Sequence, residues 1–307
     1  MADNNKLEKH GVKLFVFGDS YADTGNSRKH TAVSWKPPYG ITFPGKPAGS
    51  FVSGHKISGG VQRDKGGREM EISIAGNDYG AYLAKGTNNI NNMEGLANLT
   101  TSIIDQLVAN VRRIQKLGVR KIAVTALEPL GCLPPFTASS SFQNCSQIFN
   151  SVSDFHNQIL HQKLQALNNQ TSSLSNSLPV LVLDLYTTFM SAFENLKKNI
   201  TTTTTAGNLR VESPLVMKPC CVGISKEYSC GSLDENGAKK YSVCKNPELS
   251  FFWDMIHPSQ NVIHHNVEVG FGQFSWANNM EDWKSWSVQP WKGLVASILN
   301  TTAAAII

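Results

Sequence analysis

Leu14-Phe15-Val16-Phe17-Gly18-Asp19-Ser20-Tyr21-Ala22-Asp23-Thr24-Gly25-Asn26 is the stretch on which the fold turns. Its four consecutive apolar residues, 14–17, predict a short strand buried on both faces, and Gly18-Asp19-Ser20 ends it abruptly. A serine is thereby set at the carboxyl end of a parallel strand, which is where open α/β sheets bind ligands. Asp19 and Ser20 are residue types that cap a following helix, and the first N–H groups of that helix would face negative charge developing at Ser20. The same residues also suit an ordinary strand-to-helix turn. Taken alone, the stretch divides evenly between the two readings.

A second stretch near the other end, Phe252-Trp253-Asp254-Met255-Ile256-His257-Pro258, weighs for chemistry. Asp254 and His257, three apart, fall on one face of a helical turn, so the carboxylate can hold one imidazole nitrogen and leave the other free. A serine nucleophile needs such a base and such an orienter.

With these residues the chain resembles the plant branch of the GDSL esterase/lipase family, within the SGNH hydrolase class. The matching residues are Phe17-Gly18-Asp19-Ser20 with Asp23-Thr24-Gly25-Asn26, Gly76-Asn77-Asp78-Tyr79, and Trp253-Asp254 to His257-Pro258. Pro37-Pro38-Tyr39-Gly40, Pro129-Leu130-Gly131-Cys132 and Lys218-Pro219-Cys220-Cys221 fit the plant branch as well. The resemblance covers roughly residues 14–260. It implies a flavodoxin-like three-layer α/β/α sandwich with a parallel sheet, and a serine hydrolase that cleaves acyl esters or lipids. It makes Ser20 the nucleophile, His257 the general base and later the acid, and Asp254 the orienter of His257. The Ser20 backbone N–H and the Asn77 side chain become oxyanion donors, and Asp19 supports the turn. A serine mechanism is complete in protein groups, so no cofactor and no metal is implied. Secretion is typical of the family.

Residues 71–75 read as the next strand, ending at Gly76-Asn77-Asp78 in a repeat of the arrangement at Ser20. The Asn77 amide suits an alkoxide donor. It equally suits an Asx-turn bonded to its own backbone, and the family match favours the donor. Residues 102–117 carry the apolar spacing of a helix with one buried stripe, and Gly118 stops it. Residues 121–126 follow as a strand, closed by Glu128-Pro129. A helix over 147–167 shows Ile148, Val152, Phe155, Ile159 and Leu167 on its apolar face, with His156 and His161 as surface or satisfied residues. A strand at 180–183 and a helix to about residue 198 complete an alternation that argues for a parallel sheet. The basic, Pro- and Gly-rich loop after Asn26 lies near the mouth of the crevice, where Trp35 and Tyr39 pin it down.

The 307 residues are 41% hydrophobic and 17% charged, a globular composition, read here as one domain over 1–262 and a divergent Trp-rich tail over 263–307. The net charge of +5 is scattered rather than clustered, which argues against a nucleic-acid partner. No stretch of about 20 apolar residues is present to span a membrane. The six cysteines fit disulfides better than a zinc pattern, with the pairing open. Asn98, Asn144, Asn169, Asn199 and Asn300 head glycosylation sequons, while the polar start of the chain shows no signal peptide.

The chain departs from the family in two places. The long family segment that holds the sheet's second strand and an oxyanion glycine is reduced here to residues 57–70. Gly60 is its remnant candidate, and the sheet is expected to be short by one strand, with the Ser20 strand at its edge. After Gln260, where the family continues into a closing helix, this chain reads Asn261-Val262-Ile263-His264-His265. These losses motivate an alternative reading, a catalytically silent family member acting as a binding glycoprotein. A nucleotide-binding reading lacks any G-x-G-x-x-G or P-loop and ranks last.

Overall fold

Apolar residues of four strands and of the helices packed on them build one of the two main core clusters. Strands β1 (Lys13–Gly18), β2 (Arg68–Ser73), β3 (Lys121–Thr125) and β4 (Leu181–Leu183) lie side by side in that order, all parallel. They are seen in a computed structural model that describes residues 13–23, 25, 27–41, 45–49, 68–85, 93–171, 178–204, 216–247 and 250–259. In register, Phe17 stands opposite Ile72, Ile72 opposite Val124, and Val124 opposite Val182, so one face of the sheet is apolar across all four strands.

Helices α1 (Gly76–Ala84), α2 (Met93–Lys116), the single turn α3 (Pro134–Thr137), α4 (Gln147–Thr171) and α5 (Leu185–Thr204) complete the α/β alternation expected from the sequence. Ile104, Leu107, Val108 and Val111 of α2 and Leu160, Leu164 and Leu167 of α4 close over the apolar face. Each such fully buried aliphatic side chain contributes about 1.5–3 kcal/mol. The expected stripe of α4 is corrected: Ile148 is 60% exposed and Phe155 is 36% exposed. The buried row is Val152, His156, Leu160, Leu164 and Leu167. His156 fills a core position because Nδ1 meets the Tyr79 hydroxyl at 2.8 Å, and burial lowers its pKa to about 4. A polar residue within an apolar stripe displaced the reading of the helix face.

A second cluster gathers where the chain leaves the strands. Phe189 of α5 meets Phe251 edge to face at 5.0 Å between centroids and Phe193 meets it tilted at 4.2 Å, and Leu127 and Leu130, which follow β3, join them. A third, smaller cluster holds Tyr39, Trp253 and four half-cystines around the antiparallel pair β5 (Cys221–Gly223) and β6 (Tyr241–Val243). All six cysteines pair, as Cys132–Cys145, Cys220–Cys244 and Cys221–Cys230.

Among the described residues β1 has a neighbour on one side only. Gly60, His264-His265 and the Trp-rich tail lie outside the described residues. No helix among them is long and apolar enough to cross a membrane.

Candidate active site

The Ser20 half of the site grows directly from the sheet. Asp19 N donates to Ser73 O at 3.2 Å, and Asp19 Oδ1 then accepts from Tyr21 N at 3.1 Å, which folds the chain back. Only one 3₁₀ turn, Ser20–Ala22, follows, where the sequence suggests a helix. Asp23 diverts the chain by accepting from Gly25 N at 2.8 Å and from the Ser27 hydroxyl. Gly25 sits at φ 108°, and a Cβ there would meet Ala48 O at 2.4 Å, so this position requires glycine. Ser20 is therefore followed by a single 3₁₀ turn rather than by a long helix.

The Asp254–His257 half is a loop, not the helical turn expected from the spacing. Trp253 N donates to His257 O at 2.7 Å and closes the loop from outside. Asp254 Oδ1 accepts from Ile256 N at 2.9 Å and His257 N at 2.8 Å, closing it from inside. The loop rests on the disulfide region, where Cys220 N and Cys221 N donate to Phe252 O and Trp253 O at 3.0 and 2.7 Å.

The two halves meet. His257 Nε2 lies 2.8 Å from Ser20 Oγ, and His257 Nδ1 lies 2.9 Å from both Asp254 oxygens. Asp254 and His257 are 7% and 6% exposed. Burial pushes the Asp254 pKa up, but the His257 charge and the hydrogen bonds from the His257 ring and from the His257 and Ile256 backbone outweigh it and hold it at about 2. An ionised Asp254 fixes the tautomer that carries its proton on Nδ1 and leaves Nε2 to accept from Ser20.

Tyr39, read from the sequence as a loop pin, donates its hydroxyl to Asp254 Oδ2 at 2.8 Å. Burial and the Asp254 charge push that phenol well above its ordinary pKa, so it remains a donor. Tyr21 donates to Ile256 O at 2.8 Å and tilts its ring toward His257, 5.9 Å between centroids. Trp35 does pin its loop, through Nε1 to Ser27 O at 2.9 Å.

Asn77 is exposed, in the first turn of α1, and lines the same cleft as Ser20. The residue that sets α1 in place is Ala75, a non-glycine at φ 109°, a left-handed conformation that costs on the order of 1–2 kcal/mol. The cleft has a volume of about 260 Å³, and its walls are largely apolar, among them Leu83, Leu130, Leu133 and Phe136. Two carboxyls also face it, Asp19 and Glu128. Burial raises both their pKa values, that of Glu128 to about 7. The sequence signal for Glu128 was a single acid inside the apolar run 122–133.

Asn98, Asn144 and Asn169 are exposed. Asn199 lies in α5, and Asn300 is outside the described residues. No group of three His, Cys, Asp or Glu side chains converges on one point among the described residues.

The GDSL-like Lipase/Acylhydrolase family matches the chain over residues 14–264. GDSL esterase/lipase At5g03610 of Arabidopsis thaliana is 40% identical over 314 residues, covering 81% of this chain and 83% of the relative. GDSL esterase/lipase At3g09930 of the same plant is 34% identical, covering 81% and 84%. GDSL esterase/lipase At5g03600, also from Arabidopsis thaliana, is 32% identical, covering 85% and 94%.

Proposed function

The chain belongs to the GDSL-like lipase/acylhydrolase family, and on that premise we propose that it hydrolyses carboxylic acyl esters or lipids through Ser20, His257 and Asp254. The observation that carries this reading is the 2.8 Å approach of His257 Nε2 to Ser20 Oγ, with Nδ1 held by Asp254. As Ser20 Oγ bonds to the ester carbonyl carbon, its proton passes to His257 Nε2, and Asp254 stabilises the imidazolium. The developing oxyanion faces the Ser20 N–H and the Asn77 amide. His257 then protonates the leaving alcohol. Water attacks the acyl-enzyme by the same steps in reverse and releases the acid. Asp19 acts only by shaping the turn, through its bond from Tyr21 N. The apolar walls of the cleft suit an acyl chain.

The test is turnover of a short-chain chromogenic ester by the purified protein beside Ser20→Ala. Ser20-dependent turnover is expected, and equal background rates in the two would overturn the esterase reading in favour of a silent binding protein. The three disulfides and the exposed sequons at Asn98, Asn144 and Asn169 support a secreted glycoprotein. An endoglycosidase should then shift the mobility of protein made by a plant secretory pathway, and no shift would remove the glycoprotein reading.

A further inference from the structure

Glu128 faces the cleft but has no part in the steps above. Its backbone follows β3 and is clamped by α4. Asn157 accepts from Leu127 N at 2.7 Å and donates to Leu127 O at 2.9 Å. Ser153 Oγ donates to Glu128 O at 2.8 Å and accepts from Leu130 N at 3.0 Å. These four bonds from one helix hold the backbone on both sides of Glu128. Glu128 is 7% exposed and shares the cleft with Asp19, Ser20 and Asn77. A Cβ on Gly76 would stand 3.3 Å from Glu128 Oε1, which puts the carboxyl against the first residue of α1, beside Asn77.

The charged and titratable groups that face it are Asp19 after β1, Tyr21 in the 3₁₀ turn and His257 in the C-terminal loop. No lysine or arginine pairs with it among the described residues. Burial first, and then the Asp19 charge, favour the protonated form. The Glu128 backbone N–H and His257 oppose them, and the balance leaves the pKa at about 7. A neutral carboxylic acid in an apolar cleft is a hydrogen-bond donor aimed at whatever occupies the cleft, as a protonated acid can be in an oxyanion site.

We propose that Glu128, in its neutral form, donates a hydrogen bond to an ester oxygen of the substrate, beside the Ser20 N–H and Asn77. This assignment rests on the esterase reading. An O–H donor stabilises negative charge growing on that oxygen, whereas the ionised carboxylate would repel it. The rate therefore falls as pH rises through the titration of Glu128.

The experiment measures kcat and KM against pH for a short-chain p-nitrophenyl ester with wild type, Glu128→Gln and Glu128→Ala, and follows the Glu128 carboxyl carbon by NMR in the intact chain. Glu128→Ala is expected to lower kcat by roughly 10²-fold with little change in KM. Glu128→Gln, whose amide donates at every pH, should lose less than tenfold and should lack the alkaline fall. The carboxyl carbon should titrate near 7. An alkaline limb that persists in Glu128→Gln, or a carboxyl that titrates in the ordinary carboxylate range, would overturn the donor assignment while leaving the esterase reading intact. Absence of Ser20-dependent turnover would overturn both, so the two failures are told apart.

Discussion

The two groups that meet across the cleft are held by different kinds of structure. Ser20 hangs from β1, whose register is set by the ladder to β2 and by the packing of the sheet on α2 and α4. Asp254 and His257 stand on a loop over a small core, held by disulfides, backbone bonds and the Tyr39 hydroxyl. Two buried carboxyls carry the same contrast. Glu71, on β2, is 3% exposed, its Oε2 finds no hydrogen bond among the described residues, and burial pushes its pKa up to about 8. Asp254 is 7% exposed and is held at about 2 by the donors around it. Burial is nearly equal in the two, so the His257 charge and the donors beside Asp254 decide which carboxyl keeps its charge. On the sheet side stability comes from apolar packing that tolerates one unanswered acid; on the loop side it comes from directed bonds.

The largest expected effect strikes where the two sides meet. His257→Ala removes the imidazole 2.8 Å from Ser20 and should lower kcat by about 10⁴-fold or more, together with some stability lost because buried Asp254 keeps its charge without that partner. Next comes a matched pair of variants that probes the difference in support. Breaking Cys221–Cys230 with a double Cys→Ser change should cost about 2–4 kcal/mol of stability. It should also lower kcat by roughly 10²-fold, because a shift of about 1 Å at His257 is enough to do so. Leu160→Ala, at a fully buried α4 position, should cost a similar 2–5 kcal/mol but leave kcat within about threefold where the protein is folded. If Leu160→Ala slows turnover as much as the loss of the disulfide, the distinction between the two supports fails.

Glu71 tests the contrast by pH. Its folded-state pKa, about 8, lies above its ordinary value of 4.5, so its contribution is fully present below 4.5 and is lost as pH rises toward 8. Wild type should therefore lose roughly 3 kcal/mol of stability between pH 5 and pH 8 on this account, at 1.36 kcal/mol per pKa unit. Glu71→Gln should flatten that slope in urea titrations. Asp254 acts with the opposite sign. Its lowered pKa stabilises the fold above the ordinary 3.8 and ceases to do so as pH falls toward 2. An unchanged slope in Glu71→Gln would assign the alkaline loss to another group.

How far the sequence revealed all this depends on the range of the signal. β1, the break at Gly18 and the strand at 121–125 were legible because burial imposes its period within a few residues. Ser20, Asp254 and His257 could be singled out as candidates by residue type and spacing, although the loop holding the last two was not legible, since it is closed by Trp253 N on His257 O rather than by helical bonds. The turn at Gly76 concealed a helix, because α1 starts from a left-handed Ala75 that no propensity favours. Tyr39 and Glu128 stayed hidden for a different reason. Tyr39 meets Asp254 across 215 positions, and the backbone around Glu128 is held by side chains of α4, so neither relation leaves a local pattern.

The smallest expected effect is also the sharpest probe of the loop side. Tyr39→Phe keeps the ring against Trp253, 6.4 Å between centroids, and deletes only the hydroxyl 2.8 Å from Asp254 Oδ2. A hydrogen bond to a charged group is worth about 1.5–3 kcal/mol, and the lower figure applies because three N–H donors remain, from Ile256 N, His257 N and His257 Nδ1. The loss should appear in kcat, at about tenfold, and not in KM, because Tyr39 acts through Asp254 on the orientation of His257 and does not line the cleft. A rise in KM with kcat unchanged would make Tyr39 a substrate contact. No change in either would mean that the loop holds its carboxylate without help from the Pro-Pro-Tyr-Gly segment, and that cross-links alone position this half of the site.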